Sequence, residues 1–361
     1  MNFDWQSRTR LVFGANSVEQ VGELACELGG TKTLLVTDPG IVAAGHAARV
    51  QKLLPNAILY DRVHENPTTR DVDECVEFAR ATGVDLIVAV GGGSSMDTAK
   101  GCNFLLTNGG RMQDYWGVGK AAKPMLPLIA IPTTAGTGSE CQSFALIADE
   151  HTHQKMACGD PKAAARVAIL DPLLTVTQPR QVAAYTGIDA VAHGVETAAT
   201  TKRTALSALF SHEAFRLTAA NLPRVLDEPQ NLEARAGMQL GAAFAGIAIE
   251  NSMLGAAHSA ANPLTAHFGI AHGHAVGMML PHVVRFNASA GNFYAELGPD
   301  LAARLDELLA ATKMSRRLSE CDVSHSAIPM LAEEAARQWT AQFNPRPVTA
   351  ADFVKLYESC L

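Results

Sequence analysis

Asp189 and His193 stand four residues apart in the run Tyr185-Thr186-Gly187-Ile188-Asp189-Ala190-Val191-Ala192-His193-Gly194-Val195-Glu196. On a helix that spacing puts a carboxylate and an imidazole on one face, one turn apart, where they can share a metal ion. Two more histidines follow, His258 in Ala257-His258-Ser259-Ala260-Ala261-Asn262-Pro263 and His272 in Ile270-Ala271-His272-Gly273-His274. Both lie among small and apolar residues, where an unpaired imidazole is costly to bury. A lone Asp/His pair at this spacing is usually a simple hydrogen-bonded helix pair. Three imidazoles and a carboxylate in an otherwise apolar region instead favour a divalent cation, and suit iron, zinc or nickel better than magnesium or calcium. His46, His64, His151, His153 and His325 lie in polar contexts and are expected to be solvated.

Two glycine-bearing segments carry a second kind of chemistry. Val90-Gly91-Gly92-Gly93-Ser94-Ser95-Met96-Asp97 runs from a β-rich stretch into a helix-like one. Glycines allow a tight turn and close backbone approach, and the amides of the helix start then face an anion such as a pyrophosphate. The segment is neither G-x-G-x-x-G nor a P-loop, so by itself it is equally an ordinary turn. Pro132-Thr133-Thr134-Ala135-Gly136-Thr137-Gly138-Ser139-Glu140 follows another strand and offers hydroxyls for phosphate, ribose or carboxamide groups. Asp38, ending a third strand, can accept from ribose hydroxyls and would repel a 2′-phosphate, or can simply form an Asp-Pro-Gly turn.

These groups need a scaffold, and the chain is long enough to supply one. Its 361 residues suggest about two domains at roughly 150 residues each. Hydrophobic residues make up 48% and charged ones 18%, with a mean hydropathy of +0.07, so the chain is globular rather than disordered. A net charge of −7 argues against nucleic acid as a partner. No apolar run is long enough for a membrane helix, and Met1-Asn2-Phe3-Asp4-Trp5 lacks the character of a signal peptide. Seven scattered cysteines without a C-x-x-C pair fit reduced thiols and a cytoplasmic location.

Apolar runs at residues 33–37, 85–90 and 128–131 alternate with helix-like stretches at 17–28 and 69–82. That pattern predicts a parallel sheet covered on both faces, with ligands beyond the carboxyl ends of its strands. Asp38 and both glycine loops follow such strands. Beyond about residue 180, residues 181–200, 204–222, 232–250 and 302–313 are Ala- and Leu-rich at helical spacing. The expected architecture is therefore an α/β nucleotide-binding domain over 1–178, then an all-α metal-binding and catalytic domain over 179–361.

Taken together, these motifs resemble the iron-containing (group III) alcohol dehydrogenase family, which shares the dehydroquinate synthase-like fold. The likeness runs from Leu11-Val12-Phe13-Gly14 through Asn66-Pro67-Thr68 to Leu280-Pro281-His282-Val283. Its most specific feature is the order G-G-G-S-x-x-D, P-T-T-A-G-T-G-S-E, G-I-D-A-x-x-H and H-x13-H. The resemblance implies a catalytic cleft between the two domains and a metal, Fe²⁺ or alternatively Zn²⁺, held by Asp189, His193, His258 and His272. It implies NAD(H) with its pyrophosphate on Gly92, Gly93, Ser94 and Asp97, and Thr133, Thr134 and Thr137 near phosphate, ribose and nicotinamide. Lys155 would meet a nicotinamide-ribose hydroxyl, Asp38 would favour NAD over NADP, and Phe144 would form an apolar wall of the substrate pocket. Homodimers or larger homo-oligomers are the expected assembly.

Two departures stand out. Where family members often carry a further histidine, this chain has Asn262, which cannot titrate near neutral pH. His267, in the same inter-ligand segment, is the candidate to replace it as a proton relay. The region beyond about Asn287 also matches only weakly. The implied reaction is hydride transfer between NAD(H) and a small primary alcohol or aldehyde, assisted by a Lewis-acidic metal. Three alternatives stay open: a zinc polyol dehydrogenase of the glycerol type, a dehydroquinate-synthase-like lyase, and a non-enzymatic metal or nucleotide sensor. The lyase would need basic residues around the metal that this sequence lacks.

Overall fold

A computed structural model describes residues 5–152 and 154–361. Met1 to Asp4 and His153, named above, lie outside the described residues. The chain groups into two compact units, each described in turn.

The first unit comprises residues 5–134 and 139–178. Its early elements are β1 (Arg10–Phe13), α1 (Val21–Glu27), β2 (Thr33–Val36), α2 (Pro39–Ala43), α3 (His46–Leu53) and β3 (Ile58–Tyr60). They continue with α4 (Thr69–Arg80), β4 (Leu86–Gly91), α5 (Gly93–Asn108), β5 (Gly117–Val118) and β6 (Leu128–Pro132). The unit ends in β7 (Phe144–Ala148), β8 (Lys155–Gly159) and β9 (Val167–Leu170). Every residue of β2, β4, β6 and β9 is buried, which is why each reads as an unbroken apolar run rather than an alternating one. These strands form a wholly parallel six-stranded sheet in the order β1-β9-β6-β4-β2-β3. Registers such as Leu35 beside Val88 and Val88 beside Ile129 align the carboxyl ends of β2, β4 and β6. Among the helices on the sheet, α4 starts at a reciprocal cap between Thr68 and Asp71.

A second, three-stranded sheet, β5-β8-β7, has no counterpart in the expectations above. In it β7 and β8 run antiparallel with Phe144 opposite Gly159. The histidine expectations also need one correction. His46 is buried rather than solvated, with its Nε2 2.7 Å from Thr177 Oγ1. Burial and the neighbouring Arg49 lower its pKa.

The second unit, residues 135–138 with 179–361, is helical. It contains α6 (Arg180–Ala199), α7 (Ala205–Asp227), α8 (Leu232–Glu250), α9 (Ala256–Phe268) and α10 (His272–Ala288). Three shorter helices follow, α11 (Leu301–Thr312), α12 (Ile328–Arg337) and α13 (Ala350–Cys360). Val191, Phe215, Leu222, Val276, Leu305 and Phe353 belong to one buried apolar core within it. The helical stretch read from sequence as 204–222 continues through Pro223 to Asp227. Long as these helices are, no described helix is both long and apolar enough to cross a membrane.

Candidate metal centre and nucleotide loops

The helical unit brings the predicted carboxylate and imidazoles together. Asp189 and His193 lie one turn apart on α6, His258 sits in the first turn of α9, and His272 begins α10. One ligand-type atom each from Asp189, His258 and His272 falls within 4.8 Å of the others. His193 stands beside this group, its Nε2 3.6 Å from Asp189 Oδ2. Its ring is stacked on that of His258 at a centroid distance of 4.9 Å.

Three polar atoms of this cluster have no hydrogen-bond partner in the protein. Asp189 Oδ1, His193 Nδ1 and His258 Nε2 are buried without a hydrogen-bond partner. Asp189 Oδ1 and His258 Nε2 face one another at 3.4 Å without making that bond. Leaving several buried polar groups unpaired costs about 1–3 kcal/mol each, so such groups favour a shared partner such as a cation. Three imidazoles and a carboxylate are a donor set for iron or zinc. The residues present therefore fit a transition-metal cation. Electrostatics agree: burial alone would raise the Asp189 pKa, yet His193, His258 and His272 hold it well below the usual carboxylate range. Burial likewise lowers His193.

Backbone geometry at Gly273 delivers His272 to the cluster. A Cβ at this position would lie 2.0 Å from the Tyr185 carbonyl oxygen and 3.1 Å from Asp189 Cβ. Only glycine lets the start of α10 lie so close to α6. A neighbour that sequence reasoning passed over completes the surroundings. Glu196, buried three residues beyond His193 on α6, lies 2.5 Å through Oε2 from His258 Nδ1 and accepts through Oε1 from the Ala257 amide at 2.7 Å. Its signal was legible, since 189, 193 and 196 share one helical face.

In the α/β unit, Asp38 and the starts of both glycine loops leave the adjacent carboxyl ends of β2, β4 and β6. Gly91 has a φ of +150°, and a Cβ there would meet Ser95 Oγ at 2.3 Å, so the turn requires glycine. Gly92 caps α5, placing the amides of Gly93 and Ser94 in its first turn. The Thr133 amide donates to the Gly91 carbonyl at 3.0 Å, joining the two loops, while Thr133 Oγ1 is buried without a partner. Thr134 abuts Gly92, its methyl 3.4 Å from where a Cβ would stand. Asp38 caps α2 by accepting from the Ile41 amide at 3.0 Å and also accepts from Ser95 Oγ at 3.4 Å. A helix start, an approachable glycine turn and an unsatisfied buried hydroxyl fit a dinucleotide phosphate.

Asp97 is buried in α5, where burial raises its pKa, and accepts from Ser139 Oγ at 3.0 Å. Lys100, also fully buried, donates to the Ser139 carbonyl at 2.6 Å and to the Phe144 carbonyl at 3.0 Å. Asp97 thus tethers the second loop to the first helix. Lys155 is exposed at the start of β8, and its charge is felt by Asp97. Phe144 is half-buried, its ring lying over Gly159 where a Cβ would be only 2.4 Å away. Thr137 is half-buried within residues 135–138, which group with the helical unit.

The expected relay does not join the cluster. His267 is exposed at the far end of α9, with its Nε2 2.8 Å from Glu334 Oε2. Nine residues beyond His258 on one helix amount to two and a half turns, placing it about 13 Å along the axis and on the opposite face. Asn262, one turn beyond His258 and on its face, donates to Gln338 Oε1 at 3.0 Å.

Comparison with known proteins gives a consistent picture. The family model for iron-containing alcohol dehydrogenase matches residues 8–172, and that for the C-terminal part of the Fe-containing alcohol dehydrogenase family matches 183–361. The second match extends past Asn287 to the last residue, Leu361. The NAD-dependent methanol dehydrogenase of Bacillus methanolicus is 32% identical over 97% of this chain and 97% of its own. The 1,3-propanediol dehydrogenase of Citrobacter freundii is 31% identical over 98% of each. A solved 1,3-propanediol oxidoreductase superposes with a TM-score of 0.96 at 29% identity, covering 100% of both chains. The sulfoacetaldehyde reductase of Bifidobacterium kashiwanohense, solved with NAD⁺, gives a TM-score of 0.92 at 27% identity over 100% of this chain and 99% of its own. With both halves matched and near-complete coverage above 30% identity, the chain belongs to the iron-containing alcohol dehydrogenase family.

Proposed function

We propose that the protein is a metal-dependent NAD(H) alcohol dehydrogenase and aldehyde reductase acting on a small primary alcohol or aldehyde by hydride transfer. The observation that carries this reading is the buried cluster in which Asp189 Oδ1 and His258 Nε2 face each other unbonded beside His193 and His272. Asp189, His193, His258 and His272 would hold Fe²⁺, with Zn²⁺ a second possible occupant. Bound there, the cation supplies Lewis acidity toward a substrate oxygen. The names carried by the methanol and 1,3-propanediol relatives place small alcohols and diols first among substrates to test.

On this reading the first-turn amides of α5, with Gly92, Gly93 and Ser94, bind the pyrophosphate, and Asp97 holds the loop behind them. Thr133, Thr134 and Thr137 serve phosphate, ribose and nicotinamide, Lys155 a ribose hydroxyl, and Phe144 the apolar side of the substrate. Asp38 accepts from ribose hydroxyls and repels a 2′-phosphate. Asn262 orients water but takes no proton, so aldehyde reduction is the easier direction near neutrality and alcohol oxidation improves at alkaline pH. The enzyme is a cytoplasmic homodimer or larger homo-oligomer.

The test is a metal-reconstituted screen of small aldehydes with NADH and NADPH, alongside His272→Ala and Asp38→Gly. His272→Ala should lose turnover while keeping NADH binding, and Asp38→Gly should narrow the preference for NADH. Wild-type turnover after exhaustive chelation, with metal content confirmed as nil, would refute the metal assignment. A higher kcat/KM with NADPH would show that Asp38 only caps α2.

A further inference from the structure

The start of α9 is held by side chains from distant parts of the helical unit. Its cap, Gly255, offers no side chain, and a Cβ there would lie 3.1 Å from both Glu196 Oε1 and Asn344 Oδ1. The Ala256 amide donates to Asn344 Oδ1 at 3.4 Å and the Ala257 amide to Glu196 Oε1 at 2.7 Å. Asn344 is itself fixed by reciprocal bonds with Asn287. Glu196 therefore does two jobs with its two oxygens: one caps α9, and the other faces His258 Nδ1 at 2.5 Å.

We infer that Glu196 is a positioning residue that sets which nitrogen His258 offers to a metal. This rests on the metal assignment proposed above. An ionised carboxylate only accepts hydrogen bonds, so the Nδ1 it faces must carry the hydrogen. In neutral imidazole that leaves the lone pair on Nε2, the buried atom aimed at Asp189. The cap made by the other oxygen keeps the ring from following a rotated carboxylate. One residue thereby fixes both the ring's position and its tautomer.

Glu196→Gln separates these roles because it keeps size and shape. If its amide oxygen still caps Ala257, its NH₂ faces Nδ1 and drives the hydrogen to Nε2, blocking the ligand atom. If it flips, NH₂ meets the Ala257 N–H and the cap is lost. Either way the contact pair is broken. Zn²⁺ affinity, measured by competition with a chromophoric chelator, should fall about 10–100-fold while NADH affinity stays at the wild-type value. A second measurement does not depend on the variant folding: ¹⁵N NMR of the Zn²⁺-loaded wild-type protein should show His258 with hydrogen on Nδ1. His272→Ala serves as the control for the site itself. Loss of Zn²⁺ binding in His272→Ala together with wild-type affinity in folded Glu196→Gln overturns the role of Glu196 and leaves the metal assignment standing. Hydrogen on Nε2 of His258 in the loaded wild-type protein also overturns it. Failure of the wild-type protein to bind Zn²⁺ or Fe²⁺ at all refutes both.

Discussion

Replacing Gly273 by alanine should disable the metal site without touching any proposed ligand. The new Cβ would stand 2.0 Å from the Tyr185 carbonyl oxygen and 2.8 Å from its carbonyl carbon, with Asp189 Cβ at 3.1 Å. Two of these atoms are backbone of α6 and cannot rotate away. Ordinary contact begins near 3.4 Å, so α10 and α6 must part by about 1.4 Å at this point. Overpacking of this kind costs about 1–3 kcal/mol, and rigid backbone neighbours put Gly273→Ala at the upper end. For a unit of this size that is roughly 6–12 °C in Tm. The functional loss should be larger in proportion. Metal ligands tolerate displacements of about 0.2 Å, and His272 is bonded directly to the residue being moved. We expect at least a tenfold loss of Zn²⁺ affinity by chelator competition, with NADH affinity unchanged. Gly277→Ala, one turn further along α10, is the comparison. Its nearest neighbours are side-chain atoms, Ile188 Cγ1 at 2.9 Å and Cγ2 at 3.1 Å, so it should cost less and spare the metal. Wild-type Tm and wild-type Zn²⁺ affinity in Gly273→Ala would refute the claim that this glycine delivers His272.

His267→Ala should keep the wild-type kcat and pH profile, because that residue is bound to Glu334 on the face of α9 opposite His258; a flattened acidic limb in alcohol oxidation would restore it as a relay. Glu140 is a stability probe. Burial pushes its pKa from 4.5 up to about 7 despite the nearby charge of Lys100. Between those values the native state holds a proton that the unfolded chain has released, so stability should decline as pH rises through this window and level off above it. Glu140→Gln should flatten that decline and add stability above pH 7, at most on the order of 3 kcal/mol. Urea midpoints from pH 5 to 8 provide the measurement, and a destabilised variant at pH 8 would show that an ionised Glu140 is held favourably by Lys100.

Local rules in the sequence were enough for the parts of this protein that depend on near neighbours. The pair Asp189 and His193 could be placed on one face of a helix because the helical repeat alone decides it. The buried strands β2, β4 and β6 could be read because a strand covered on both faces leaves an unbroken apolar run. Gly91 and its loop were recognisable because a strand-to-helix turn needs glycine locally. The order of motifs was also sufficient to suggest the family.

Other features depended on which distant segments meet. His267 lies in the right stretch of sequence for a relay, but its place on the helix turns it away from the cluster. The β5-β8-β7 sheet was missed because β5 has two residues and its pairing is long-range. His46 sits between the small residues Ala44, Gly45, Ala47 and Ala48, so nothing beside it in the chain names its partner; Thr177, 131 residues away, receives it in the interior. The same holds at the metal centre. Residue types told which atoms could bind a cation, but Glu196 reaches His258 across 62 residues and Asn344 reaches Ala256 across 88. Which nitrogen His258 presents, and how close α10 comes to α6 at Gly273, are set by contacts between helices that no local periodicity encodes. Spacing along one element is a local geometric constraint carried by the chain itself, whereas the meeting of two elements is decided only when the whole core packs.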